Sequence, residues 1–129
     1  MAIILKKFTV TLIIVVSCLA CDQGTKSPTQ LKNPPTELLG IWMTDAPAYK
    51  DRYLIFEKNY VLFGIGNDKS PTMQHIVKLD AQPDGGQTSY TIYSKDNDGT
   101  HELRFTYNPA DGGTLSIKNQ IDVLWKKVE

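Results

Sequence analysis

The sequence predicts an all-β domain, a small antiparallel eight-stranded meander closing as a barrel, preceded by an N-terminal signal helix. Three observations carry this prediction. Short runs rich in Val, Ile, Tyr, Phe and Thr recur between turns rich in Gly, Pro, Asn and Asp. Within the runs, apolar and polar residues alternate with the period of two that a pleated strand imposes. Beyond residue 37 no stretch sustains a helical period; a single turn around residues 46–50 is the most the pattern allows.

The first element is an export signal. Lys6 and Lys7 form a positive start, and residues 8–20 carry no charge. Thirteen uncharged residues fall short of the roughly 20 needed to cross a ~30 Å hydrocarbon core, but they match the apolar region of a secretory signal. The competing reading, an uncleaved anchor from Met1, buries the two lysines at about 2.5–3.5 kcal/mol each near the bilayer centre. Residues 1–20 are therefore assigned as a signal peptide.

The apolar run closes on Ser17, Cys18, Leu19, Ala20 and Cys21. This resembles the end of a bacterial lipoprotein signal, where apolar and small residues precede the cysteine that receives lipid. Cys21 is preferred because polar chain follows it at once; Cys18, behind Val15, Val16 and Ser17, is the alternative. The resemblance implies a multiply acylated N-terminus, since two or more chains are needed for firm anchoring. It places the protein in the bacterial cell envelope, facing the periplasm or the cell surface. Asp22 resembles the inner-membrane retention residue of enterobacterial lipoproteins. Residues 21–36 then read as the lipidated cysteine and a disordered polar tether containing Pro28, Pro34 and Pro35.

Residues 37–129 form one domain, with strands expected at 38–44, 53–57, 60–66, 75–81, 89–94, 102–108, 114–118 and 121–128. The short links at Lys58 and Asn59, at Gly85 and Gly86, and at Asn97 and Asp98 favour hairpins between neighbours. Leu103, Phe105 and Tyr107 alternate with Glu102, Arg104 and Thr106, and Tyr90 and Ile92 with Ser89, Thr91 and Tyr93. Ile121, Val123 and Trp125 continue the inward set, as do Val61, Phe63 and Ile65. Eight strands enclose a space that side chains fill or that holds one small ligand; the aromatic crowd here points to a mostly filled barrel. A β-sandwich of the same strands is the alternative. Gly40, Ile41 and Trp42 resemble the Gly-x-Trp opening of lipocalins and other calycin-like barrels. That resemblance implies that Trp42 plugs one barrel end beneath a late basic side chain, here Lys126 or Lys127, without carrying chemistry.

Charge disfavours nucleic acid. The chain has 14 basic and 14 acidic residues; without Lys6 and Lys7 the balance is 12 against 14, a net of −2 with no basic cluster. No cysteine follows Cys21, so burial rather than disulfides must stabilise the domain.

Catalytic and metal motifs are absent. His75 and His101, the only histidines, lie two strands apart and lack ligand spacing. The Asp96, Asn97, Asp98, Gly99 run has serine where a calcium loop needs its first carboxylate, and reads as a hairpin turn. No serine sits in a nucleophile elbow, and Gly64 and Gly66 lack the third glycine of a dinucleotide loop. Asp45, Asp51, Glu57 and Asp80 are the carboxylates that an acid-dependent hydrolase would have to bring together.

The most informative surface is the long link at 43–53, with Asp45, Tyr49, Lys50, Asp51 and Arg52 as candidate ligand or partner residues; the link at 67–73 is second. The expected function is a non-enzymatic binding or accessory module without cofactor or metal. It would be tied to the membrane through its N-terminal lipid, and its partner would be an envelope protein or a small apolar ligand. An envelope hydrolase or a purely structural envelope component is the alternative.

Overall fold

A computed structural model describes residues 27–66, 68–120 and 122–128. The expected signal helix, Cys18 and Cys21 lie outside the described residues, as does Ile121. The strands are β1 (Thr29–Leu31), β2 (Gly40–Met43), β3 (Arg52–Phe56), β4 (Tyr60–Ile65), β5 (Thr72–Asp84), β6 (Gln87–Asp96), β7 (Gly99–Asn108), β8 (Thr114–Ile117) and β9 (Leu124–Lys127).

From β2 to β9 each strand pairs antiparallel with the next, and β9 returns to β2 through Trp42↔Lys127 and Met43↔Lys126. This closes an eight-stranded meander barrel, and the sandwich alternative falls. The register puts alternate residues inside. Trp42, Phe56, Val61, Leu79, Ile92 and Leu115 are fully buried, each stabilising the fold by roughly 1.5–3 kcal/mol through removal from water. Phe105 stacks on Tyr90 and packs at a tilt against Phe56, with ring centres 5.4 Å apart in both pairs.

The ninth strand corrects the expected tether. Thr29–Leu31 is not disordered but pairs with Leu79, Asp80 and Ala81 of β5. β5 is long, and β4 covers only its first part, from Thr72 to His75; β1 takes the same edge further on, after the irregularity between Ile76 and Lys78. An uncovered edge would leave ladder groups open to another chain. Main-chain pairing does not depend on side-chain hydropathy, so the polar composition of this stretch gave no strand signal. Only Leu31 contributes apolar packing.

Other boundaries moved for local reasons. Leu38 and Leu39 are held in turns by Pro35 and Thr36 carbonyls, so β2 starts at Gly40. A turn from Gln120 to Val123 delays β9 to Leu124.

The links divide the barrel into two ends. One end carries the β3–β4, β5–β6 and β7–β8 links together with the chain leading into β2, and this end is closed. Leu38 is fully buried there, and the Trp42 indole N–H donates to the Leu38 carbonyl at 2.9 Å. Lys127 Nζ donates to the Glu37 carbonyl at 2.7 Å and lies 5.4 Å from the Trp42 ring centre. Gly40 has φ +129°, which side-chain-bearing residues rarely adopt, and a Cβ there would meet the Lys127 stem at 3.4 Å. Trp42 thus sits beneath a late basic side chain, and that residue is Lys127 rather than Lys126.

On the outer wall Ile41, Ile55, Leu62 and Met73 lie directly opposite one another across β2, β3, β4 and β5. Ile41 and Met73, at the ends of this row, are exposed.

Candidate functional site

The second end is formed by the β2–β3, β4–β5, β6–β7 and β8–β9 links, and it is open. A cavity of about 420 Å³ enters the barrel there. Its walls include Leu54, Phe63, Leu103, Ile117 and Trp125, all from positions that the alternation turns inward. The barrel is therefore filled at the closed end and hollow at the mouth, a correction to the expected mostly filled interior. The expected inward set ran out of volume here: Leu103 and Phe63 are only partly buried, against the fully buried Val61, and Ile117 beside them is likewise only partly buried.

The β2–β3 link shapes one side. Thr44 Oγ1 accepts from the Ala46 N–H at 3.2 Å, and Pro47–Tyr49 then forms a single 3-10 turn. Pro47 at the start suits this turn, because its fixed φ is helical and it has no N–H to leave unpaired. The turn carries Tyr49 to the cavity, where its ring lies 6.5 Å from that of Trp125. Arg52, the first residue of β3, stacks its guanidinium over Tyr49 at 4.9 Å and also lines the cavity. The neighbouring β4–β5 link supplies Lys69 and Ser70. The Gly66 N–H donates to the Asp51 carbonyl at 2.7 Å, which ties the two links together.

Of the five residues singled out on the long link, Tyr49 and Arg52 therefore line the cavity. Asp45 lines a separate surface groove with Asp122 and Lys126. Lys50 and Asp51 are exposed and face neither. Sequence reasoning missed Gln120, and it read Trp125 as core only. Both line the cavity, and two of their atoms stand out. The buried Trp125 Nε1–H and the buried Gln120 Oε1 have no hydrogen-bond partner among the described residues. Trp125 is 3% exposed, and an unpaired buried polar group costs about 1–3 kcal/mol. Among the described residues no carboxylate lines the cavity, and the charged groups that do are Arg52 and Lys69.

Polar groups elsewhere are structural. The Tyr90 hydroxyl donates to Glu37 Oε1 at 3.1 Å, and burial, then this bond, pushes its pKa well above the usual tyrosine range. Asp96 Oδ1 lies 2.9 Å from His101 Nε2 and accepts from the Asp98 N–H at 2.8 Å. The bond from His101 is the main reason that Asp96 titrates below the usual carboxylate range. The Asp-rich run is thus a tight hairpin turn. His75 lies on β5 against the Tyr60 ring, 4.7 Å between centres, and no metal-binding group of three is present among the described residues.

The four carboxylates weighed for hydrolysis do not converge. Asp45 and Asp51 lie in the open-end link, Glu57 in the turn at the closed end, and Asp80 on the barrel wall 3.4 Å from Lys78 Nζ. No helix among the described residues is long and apolar enough to cross a membrane. A scan against protein-family models and searches of curated proteins and of solved structures each found no match for this chain.

Proposed function

We propose that this chain is a lipid-anchored envelope protein whose barrel holds a small ligand in its open mouth, without catalysing a reaction. The observation that carries the reading is the mouth cavity, at about 420 Å³ within the range of roughly 300–1,000 Å³ typical of small-molecule sites. Its walls are apolar and ring-rich, with a few polar groups at defined places, as ligand sites are. The separation of the four candidate carboxylates favours binding over acid-dependent hydrolysis.

The anchor rests on the lipoprotein-like signal and sets the orientation. Thr29 follows Cys21 by eight residues, so an extended chain lets β1 start at most ~28 Å from the lipid. Thr29 pairs with Ala81, towards the closed end. On this reading the closed end faces the membrane and the mouth faces away from it.

Two measurements test the proposal. Mass spectrometry of the N-terminal peptide from membranes is expected to find Cys21 acylated; an unmodified mature terminus elsewhere overturns the anchor. Ile117→Trp fills the mouth, so the full-length protein carrying it is expected to lose binding of 2-naphthoate while keeping its far-UV circular dichroism. Undiminished binding would place the site elsewhere.

A further inference from the structure

We infer that the mouth takes a flat, ring-bearing anion that also carries a hydroxyl-like group, one that accepts from the Trp125 indole and donates to the Gln120 carboxamide. This rests on the reading of the mouth as a ligand site and specifies its chemistry.

Three features of the cavity converge on that class. The first is the pair of buried, unpartnered atoms, one donor and one acceptor, both on residues that line the same cavity. Native proteins pair nearly all such groups. A ligand hydroxyl both donates and accepts, so it has the chemistry to answer a donor and an acceptor, whereas an ether or a carboxylate answers only the indole. The second is charge. Arg52 and Lys69 line the cavity, no carboxylate does, and neither cation is in an ion pair among the described residues. A mouth whose cations have no acidic partner favours an anion over a cation by charge complementarity. The third is shape. Tyr49, Phe63 and Trp125 present rings to the cavity, and offset stacking rewards a flat aromatic body over a branched aliphatic one.

The discrimination should be large. A site whose buried polar groups are satisfied by a ligand hydroxyl leaves them unpaired when the analogue lacks it, and so rejects that analogue strongly.

The test uses the full chain in nanodiscs, labelled with ¹⁵N at the tryptophan indoles and titrated with four two-ring probes. These are 6-hydroxy-2-naphthoate, 2-naphthoate, 2-naphthol and 2-naphthylmethylammonium, each controlled against empty nanodiscs. The hydroxy acid is expected to bind at least about tenfold more tightly than 2-naphthoate, a difference of about 1.4 kcal/mol, and 2-naphthoate more tightly than the ammonium. The Trp125 indole resonance, assigned with Trp125→Phe, is expected to move further with the two hydroxyl-bearing probes than with 2-naphthoate. Gln120→Leu should bring the ratio of the 6-hydroxy-2-naphthoate and 2-naphthoate affinities to about one. Arg52→Gln and Lys69→Gln together should erase the preference for anion over cation.

Affinities within twofold across all four probes would overturn the inference and leave a ligand-binding mouth without this selectivity. Failure of every probe to bind would overturn the ligand-binding reading with it.

Discussion

Replacing each of the two tryptophans by phenylalanine separates a satisfied indole from an unsatisfied one. Trp42 is fully buried, donates to the Leu38 carbonyl at 2.9 Å and lies under Lys127 Nζ. Trp42→Phe strands that carbonyl, at about 1–3 kcal/mol, and weakens a cation–π contact of about 0.5–1 kcal/mol. It also leaves a void that adds about 1 kcal/mol. The expected loss is about 3 kcal/mol. Trp125 is nearly as deeply buried, but its N–H has no partner among the described residues to lose. Trp125→Phe leaves a similar void and removes an unsatisfied donor, so the two effects largely cancel and the expected change is within about 1 kcal/mol of zero. Urea unfolding of the ligand-free protein, followed by far-UV circular dichroism, measures both. Equal losses, or a larger loss at Trp125, would refute the assignment of Trp125 as an indole waiting for a partner.

Three further outcomes follow from the same structure. Tyr90 favours its neutral form when folded, so the stability it contributes is complete below the ordinary value of ~10 and is lost as pH rises towards the higher native value. Tyr90→Phe should therefore flatten the decline in unfolding free energy above pH ~10; an unchanged alkaline limb counts against the burial of the Tyr90 hydroxyl first and its Glu37 contact second. Asp96 runs the other way. Its pKa is depressed mainly by His101, so its contribution is present above the unfolded value of ~3.9 and is lost as pH falls through the native one. Asp96→Asn should make acid unfolding less steep, as measured by circular dichroism from pH 6 to 2. Finally, Gln30→Pro should detach β1, whose pairing covers β5 at Leu79–Ala81. Hydrogen exchange should then accelerate at the N–H groups of Leu79–Ala81 that face β1, while those facing β6, and β3 and β4, keep their protection, and exchange unchanged across Leu79–Ala81 would show that β1 is dispensable to that edge.

Much of the barrel was legible because alternation reports burial directly. Phe105, between Arg104 and Thr106, and Ile92, between Thr91 and Tyr93, are buried as the period of two requires. The turns were legible because glycine and asparagine chemistry is local: Asn97 and Asp98 link β6 to β7 as a two-residue hairpin. The Gly40 and Trp42 pairing was legible as a device for closing one end, although the choice of Lys127 over Lys126 depended on barrel closure.

The parts that escaped depend on long-range registration. β1 has no side-chain pattern of its own, because its role is to satisfy the backbone of β5. The cavity escaped because inward-facing residues were counted without knowing how far apart the walls stand: Leu103 and Phe63 belong to the expected inward set but stay only partly buried at the mouth. Of the candidate loop, Tyr49 and Arg52 line the cavity and Asp45, Lys50 and Asp51 do not. Loop length flags a region but not the direction in which each side chain turns. Gln120 left no signal, since a glutamine in a turn reads as solvated until its carboxamide oxygen is found buried.

The most direct test of where a ligand sits is a set of intermolecular nuclear Overhauser effects between 6-hydroxy-2-naphthoate and the methyl-labelled full-length protein. The account predicts contacts to the methyl groups of Leu54, Leu103 and Ile117 within the mouth. Contacts confined to Ile41, Leu62 and Met73 on the outer wall would contradict it.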